Sequence, residues 1–172
     1  MKTGKTIVLL MGILSLFTGC KQEKKAASKN TSPKEEFAIL EATLENGKPA
    51  IGSFNLYYKS YEDKVSYPWC LKIAIALDEA QCHENGLANP QENTIAVRME
   101  DEFLEKIQKI TSSHYIGHVF NDTFLDIYIY LDHPEKVHQW LQTQIKRKGL
   151  AREFGYEINK DATWETVQQF FN

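Results

Sequence analysis

The strictest pattern in this chain is an alternation of side-chain types along residues 69–77 (WCLKIAIAL). Successive side chains of a β-strand point to opposite faces of the sheet, so this alternation predicts a strand. One face carries large apolar residues, and the other carries smaller or charged ones. A strand with such a long apolar face must be covered by other elements, and we therefore predict a central strand. Its apolar face consists of Trp69, Leu71, Ile73, Ile75 and Leu77.

Two amphipathic helices are predicted further along the chain. Residues 89–92 (NPQE) place Asn at the N-cap, Pro at the first helical position, and Glu three residues after the cap, where it can complete a capping box. Residues 132–135 (DHPE) repeat this pattern before the second helix. The second helix is predicted to end in the basic triplet of residues 146–148, followed by Gly149. Cations in the last turn and a following glycine favour a helix end, and we prefer this interpretation to a basic binding patch. The apolar residues at helical spacing are Ile95, Met99, Phe103, Ile107 and Ile110 in the first helix, and Val137, Trp140, Leu141 and Ile145 in the second.

Two hairpins complete the predicted sheet. Residues 37–44 and 50–58 flank an Asn-Gly turn, which tolerates the positive φ that tight hairpins need. Residues 115–120 and 124–131 flank a second turn with the sequence Asn-Asp-Thr. We predict an N-terminal hairpin and a second hairpin between the two helices.

The order of these elements predicts an α+β fold. Phe154, Tyr156 and Ile158 alternate as a last strand, and residues 164–171 form a short closing helix. From residue 69 to residue 160 the order is strand, helix, strand, strand, helix, strand, which is the ferredoxin-like βαββαβ pattern. We therefore expect an antiparallel sheet with two helices on one face, preceded by an N-terminal β-hairpin and followed by a short C-terminal helix.

The best candidate binding face is the sheet surface opposite the two helices. Lys72, Asp126, Tyr128 and Tyr130 all point to that face in the predicted register. The first and third core strands are neighbours in this topology, so we expect Lys72 to lie near Asp126 or Tyr128. Aromatic side chains with a few fixed polar groups suit recognition of a ligand or a protein. Alternatively, the hairpin or the closing helix with Trp164 covers this face, and the tyrosines are packing residues.

Residues 1–19 have the pattern of a bacterial lipoprotein signal peptide. A short positive segment precedes the apolar stretch of residues 7–17 (IVLLMGILSLF). That stretch is too short to span a bilayer, which needs about 20 residues, but it suits the apolar region of a signal peptide.

The end of this segment, LFTGC, resembles a lipobox, in which small residues precede the cysteine that receives diacylglycerol. Phe17 departs from the family pattern, which prefers an aliphatic residue there. We predict lipid on Cys20, a membrane anchor in the bacterial cell envelope, and a flexible polar tether over residues 20–36. Residues 37–172 then form a single globular domain. An ordinary secretory signal or an uncleaved anchor is the alternative.

The charge of the predicted domain excludes nucleic acid as a partner. Removing the seven lysines and three glutamates that precede Phe37 leaves 13 basic and 20 acidic residues, and the whole chain has three arginines. Binding to phosphate backbones depends on Lys and Arg, which this acidic surface does not offer in excess.

The sequence indicates no catalytic residues, no metal site and no cofactor. His114 and His118 share a strand face, but four residues of strand separate their Cα atoms by about 13 Å, too far for joint metal ligation. Cys82, His83 and Glu84 are adjacent in one loop without a second ligand pair. Cys70 and Cys82 leave two possibilities open, a disulfide across a tight loop or two independent thiols.

Six short segments together suggest a family. They are PW at 68–69, GLANP at 86–90, MEDE at 99–102, YIGH at 115–118, YIY at 128–130 and DATW at 161–164. In their order and spacing they resemble the 695 family of domains of unknown function, over residues 37–171. That family is similar in fold to the bacterial regulators of ribonuclease activity, small acidic proteins that inhibit an RNase by binding it.

The resemblance implies a binding module rather than a catalyst. An exported lipoprotein would not meet a cytoplasmic ribonuclease, so that partner does not transfer. We therefore expect an envelope lipoprotein that binds an unknown protein or small ligand. A hydrolase or another enzyme acting near the membrane is the alternative.

Overall fold

A computed structural model of the chain describes residues 35–171. The predicted signal peptide, the lipid attachment site Cys20 and the tether up to residue 34 lie outside the described residues. Those predictions concern parts of the chain about which the fold carries no information.

The domain is a six-stranded antiparallel sheet with helices packed on it. The sheet order is β1-β2-β4-β5-β3-β6. The strands are β1 (Phe37–Thr43), β2 (Pro49–Asn55), β3 (Trp69–Ala76), β4 (Ser113–Asn121), β5 (Phe124–Leu131) and β6 (Phe154–Lys160). The helices are α1 (Pro90–Ile110), α2 (Glu135–Ile145) and the short α3 (Glu165–Gln168).

The predicted α+β class is confirmed, and so is the face of the sheet that meets the long helices. Leu71, Ile73 and Ile75 of β3 are completely buried. They share one apolar core with buried residues of β5 and of both long helices. The period-two pattern of the strands and the helical spacing of α1 and α2 therefore identified the same core. The helices contribute Ala96, Met99, Phe103, Ile107, Val137 and Leu141 to it.

The sheet differs from a four-stranded ferredoxin-like sheet because the N-terminal hairpin joins it. Strand β2 pairs with β4, so the hairpin extends the sheet edge. This pairing requires glycine at position 117, where β4 lies close to β2, since a Cβ on Gly117 would lie 2.3 Å from the backbone oxygen of Ser53. Gly117 has a φ of +153° beside a bulge in β4, a conformation that other residues rarely adopt.

The start of α1 is partly as predicted. The side chain of Asn89 accepts a hydrogen bond from the backbone N–H of Glu92, at 2.9 Å, which confirms the N-cap. The predicted capping box is wrong, because the Glu92 carboxylate turns inward instead. It accepts hydrogen bonds from the backbone N–H of Asp78, at 3.0 Å, and from the Arg152 guanidinium.

Both ends of α2 differ from the sequence pattern. Its N-cap is Pro134, and no side chain caps it. Asp132 instead accepts a hydrogen bond from the adjacent N–H of His133, at 2.7 Å. The helix ends at Ile145, with Lys146 as its C-cap. The basic residues that follow are therefore outside the last helical turn, and their cations do not cap it.

The C-terminal segment covers the second face of the sheet. Trp164 is completely buried and adopts a left-handed backbone conformation, with φ of 60°, immediately before α3. Its indole Nε1 donates to the backbone oxygen of Tyr67 at 3.0 Å. The predicted closing helix is thus one turn of α-helix followed by a 3-10 turn, Gln169–Phe171, and it forms a second core with the sheet.

Candidate functional site

The structure brings three of the four predicted face residues together. Lys72 and Asp126 form an ion pair, with 3.0 Å from Nζ to Oδ2. The side-chain amide of Asn121 donates to the same Oδ2 at 3.1 Å. The Lys72 ammonium also lies 5.9 Å from the centre of the Tyr128 ring. Neighbouring strands hold this arrangement, because Lys72 is directly opposite Tyr128 in the β3–β5 ladder.

Tyr130 is a core residue and does not lie on an open surface. Its ring stacks on Trp164 with 4.0 Å between centroids, and its side chain is completely buried. The hydroxyl donates to Asp161 Oδ2 at 2.6 Å. Burial raises the pKa of the Tyr130 hydroxyl far above its ordinary value. At this position the face is covered by the closing segment, which was the alternative stated from the sequence.

A cavity of about 410 Å³ is lined by two of the remaining three residues, Asp126 and Tyr128, and we call it the second-face cavity. It opens between the N-terminal hairpin, the β4–β5 hairpin and the C-terminal 3-10 turn. Its walls combine apolar side chains with several polar ones. The apolar residues lining it include Leu40, Leu44, Phe54, Val119 and Phe170, and the polar ones are Thr43, Glu45, Asn121, Asp126, Tyr128 and Gln169.

Two polar atoms on the sheet side of this cavity are available to a ligand, in addition to the exposed Glu45 carboxylate at its edge. Neither Oδ1 of Asp126 nor the hydroxyl of Tyr128 has a hydrogen-bond partner among residues 35–171. Burial, followed by the charge of Asp126, raises the pKa of Tyr128 well above its usual value of 10.0, so the phenol stays protonated. On its sheet side the cavity therefore offers one acceptor on a carboxylate and one phenolic donor next to the apolar side chains of Phe54 and Phe170.

A second polar cluster joins β4 to α1. Nδ1 of His118 lies 2.9 Å from Oε2 of Glu100, and the Tyr115 hydroxyl donates to Oε1 of the same carboxylate at 2.7 Å. Glu100 is 2% exposed although it belongs to the acidic run of residues 99–102. Nothing in the local sequence distinguishes Glu100 from its acidic neighbours, and it is buried because α1 packs this side chain against β4. None of these residues lines the second-face cavity.

His114 is surrounded by aromatic side chains and is not placed to bind a metal. Its Nδ1 lies 3.2 Å from the Tyr58 hydroxyl, and its Nε2 lies 3.0 Å from the Tyr61 hydroxyl. Burial lowers the pKa of His114 to about 4, so the ring is neutral at pH 7. Within residues 35–171 there is no group of three or more His, Cys, Asp or Glu side chains that could hold a metal ion.

The two cysteines of the domain are free thiols in the described fold. Cys70 is 4% exposed under the closing segment, and burial raises its pKa to about 11. Burial also raises the pKa of Cys82. Neither thiol is activated as a nucleophile, because activation needs a lowered pKa. Among the helices of residues 35–171, none has the length and apolar character needed to cross a membrane.

Comparison with known proteins identifies the family but no activity. A model described as a family of unknown function (DUF695) matches residues 42–171. No curated protein and no solved structure matches the chain. The matched region covers most of the chain and all the residues that line the second-face cavity except Leu40. The protein therefore belongs to DUF695, a family of unknown function.

Proposed function

We propose that this protein is a membrane-anchored envelope lipoprotein whose domain is a binding module for a small ligand. The observation that carries the binding proposal is the second-face cavity. Ligand sites are usually concave and mostly apolar, with a few polar groups that orient the ligand, and they occupy about 300–1,000 Å³. A cavity of about 410 Å³ with Asp126 and Tyr128 in its lining has these properties.

The chemistry of the cavity supports a ligand that has an apolar part and a polar end next to Asp126 and Tyr128. Oδ1 of Asp126 would accept a hydrogen bond from that end, and the Tyr128 hydroxyl would donate one. The ion pair with Lys72 fixes the carboxylate and neutralises its charge, so a neutral donor group suits the site as well as a cation does. Phe54 and Phe170, whose rings stack with 4.0 Å between centroids, supply an apolar wall.

We also propose a ferredoxin-like arrangement for the core of the domain, as in the bacterial regulators of ribonuclease activity. The strand order β4-β5-β3-β6, in which all pairs are antiparallel, supports this assignment. Packing of α1 and α2 on one sheet face supports it further.

The anchor is proposed from the sequence alone. A cleaved signal peptide and lipid on Cys20 would keep the domain at the cell envelope, on the periplasmic side or the cell surface. Labelling of cells with an alkyne analogue of palmitate tests this. We expect label on the wild-type chain and none on Cys20→Ala, and equal labelling of both would contradict the anchor.

Native mass spectrometry tests ligand binding. The protein is purified from its own envelope in mild detergent, and bound small molecules are identified by their mass. We expect a retained ligand on the wild type and on Tyr57→Phe, a control that removes a hydroxyl outside the cavity. Tyr128→Phe, which removes only the hydroxyl in the cavity, and Ala42→Trp, which fills the mouth, should lose it. Equal retention by all four proteins would exclude the cavity as the site.

A second candidate function, a hydrolase, is favoured by the hydrogen bond between Glu100 and His118. A buried carboxylate that holds Nδ1 leaves Nε2 free to act as a general base. Hydrolysis of a simple ester by the wild type, abolished in His118→Asn, would support this candidate. Equal rates for both proteins would exclude it.

A further inference from the structure

A groove of about 520 Å³ lies between α1 and α2, on the sheet face opposite the second-face cavity. We call it the helix groove. The chain that follows α2 closes one end of it. Its lining combines large apolar residues with cations, and it includes Ile95, Arg98, Met99, Glu102, Phe103, Lys106, Trp140, Arg147, Leu150 and Arg152.

The floor of the helix groove is apolar and well ordered by packing. Phe103 is 4% exposed and contacts the Trp140 ring edge to face, with 5.7 Å between centroids. The same phenyl ring packs on Phe154 at 4.8 Å. Met99 is buried beside it, while Ile95 and Leu150 are half-buried. Phe103 and Met99 form the packed base of the groove, and the half-buried Ile95, Trp140 and Leu150 provide the apolar surface that a hydrocarbon chain would cover favourably.

The rim of the helix groove is cationic in a domain whose charge is otherwise negative. All three arginines of the chain, Arg98, Arg147 and Arg152, line this one groove, together with Lys106. Glu102 is the only acidic residue in the lining. With 20 acidic and 13 basic residues from Phe37 onward, such a concentration of cations marks a site for an anion.

Two of these arginines are available to a ligand. Arg152 is occupied, because its guanidinium is paired with the buried Glu92 carboxylate. Arg98 and Arg147 are exposed, and within residues 35–171 neither makes an ion pair or a side-chain hydrogen bond.

The site extends past the helix groove along the chain that follows α2. An adjoining cavity of about 510 Å³ shares Arg147, Leu150 and Arg152 with the groove. It adds another cation, Lys148, and an apolar side chain, Ile145, that is 48% exposed. It also contains one acidic residue, Glu153, so cations outnumber acids there and an anion can be bound next to the groove.

We propose that the helix groove binds a single-chain anionic amphiphile, with its phosphate or carboxylate held by Arg98 and Arg147. Its hydrocarbon chain would lie on the half-buried side chains of Ile95, Trp140 and Leu150, above Phe103. The planar guanidinium matches carboxylate and phosphate oxygens in pairs, which an ammonium does not. The volume suits a small ligand, whereas a stable protein partner would need about 800 Å² of surface on this side. This site is separate from the proposed second-face site.

Photo-crosslinking tests the proposal on the full chain in phosphatidylcholine nanodiscs. The probes are dodecyl phosphate, dodecanoate and dodecanol, each with a diazirine in the alkyl chain. We expect both anionic probes to label peptides of α1 and α2 around Phe103 and Trp140, and dodecanol to label them at least about tenfold less. The relative labelling by the two anions distinguishes phosphate from carboxylate, and either result supports the proposal.

Charge-matched variants show whether the arginines bind the anion. The double variant Arg98→Gln/Arg147→Gln should raise the half-saturating dodecyl phosphate concentration at least about tenfold, because two charged hydrogen-bonding groups are lost. The control, Lys59→Gln/Lys160→Gln, removes the same charge from exposed lysines outside the groove and should change it less than about twofold. Both variants alter exposed side chains, so unchanged circular dichroism melts will show that they fold.

Three results would overturn the proposal. The first is equal labelling by dodecanol and the anionic probes. The second is labelling that the double variant leaves unchanged. The third is that no probe labels the groove, while a phosphatidylglycerol nanodisc or an acidic peptide protects it from limited proteolysis. The arginines would then contact a membrane surface or a protein.

Discussion

Replacing Arg152 with methionine should destabilise the domain strongly, because it leaves a buried carboxylate without its cation. Glu92 is completely buried, and the Arg152 side chain beside it is 20% exposed. The carboxylate accepts from Nε of Arg152 at 2.7 Å, from a second guanidinium nitrogen, and from the backbone N–H of Asp78. In Arg152→Met only the last of these remains.

The size of the effect follows from the burial. Removing one partner of a buried ion pair costs about 3–5 kcal/mol. Because water reaches part of Arg152, we expect Arg152→Met to lower the unfolding free energy by about 3 kcal/mol. For a domain of this size that corresponds to a fall in melting temperature of about 9–15 °C. The double variant Glu92→Met/Arg152→Met should recover at least half of the loss, since it removes the unpaired charge.

The pH dependence separates this cause from a loss of packing. In the wild type, hydrogen bonds from Arg152 hold the pKa of Glu92 below its usual value of 4.5, so the stabilisation is complete above pH 4.5 and is lost as the pH falls through the lowered pKa. In Arg152→Met, burial without the cation raises the pKa of Glu92. The deficit should therefore shrink as the pH falls from 7 towards 4.5.

Urea unfolding of the chain from residue 21 onward, followed by circular dichroism at several pH values, measures both effects. The reasoning is refuted if Arg152→Met is within about 1 kcal/mol of the wild type at pH 7, or if its deficit does not change with pH.

Three further predictions concern the fold. Gly117→Ala should lower the unfolding free energy measured in urea by more than about 2 kcal/mol, because a Cβ would collide with the β2 backbone. The control Gly155→Ala, which has no atom within 4 Å, should change it by less than about 0.5 kcal/mol. Similar values for the two variants would contradict the close pairing of β2 with β4. The pKa of His114 falls from 6.5 to about 4 on folding, so the unfolding free energy should decrease as the pH drops from 6.5 towards 4. An equal decrease in His114→Phe would refute this cause. A thiol reagent at pH 8 should modify Cys82 in the folded protein and Cys70 only after unfolding, and rapid modification of both would contradict the covered face.

Local sequence rules determined the class of fold, the core face of the sheet and the start of α1. The alternation in residues 69–77 assigned Leu71, Ile73 and Ile75 to one face, and those residues are completely buried under the helices. Asn89 caps α1 as its sequence pattern predicts. These features depend on side-chain direction and on backbone groups within a few residues, so the sequence contains the information needed to infer them.

Only the tertiary structure decided which distant residues meet. Glu92 resembled a capping-box residue, but its partner Arg152 is 60 residues away in the sequence. Tyr130 resembled a surface residue until Trp164, in a left-handed conformation, brought the C-terminal segment over it. The grouping of the arginines around one groove likewise depends on the packing of α1 beside α2. Such contacts arise where separate elements are packed together, and no local periodicity encodes them.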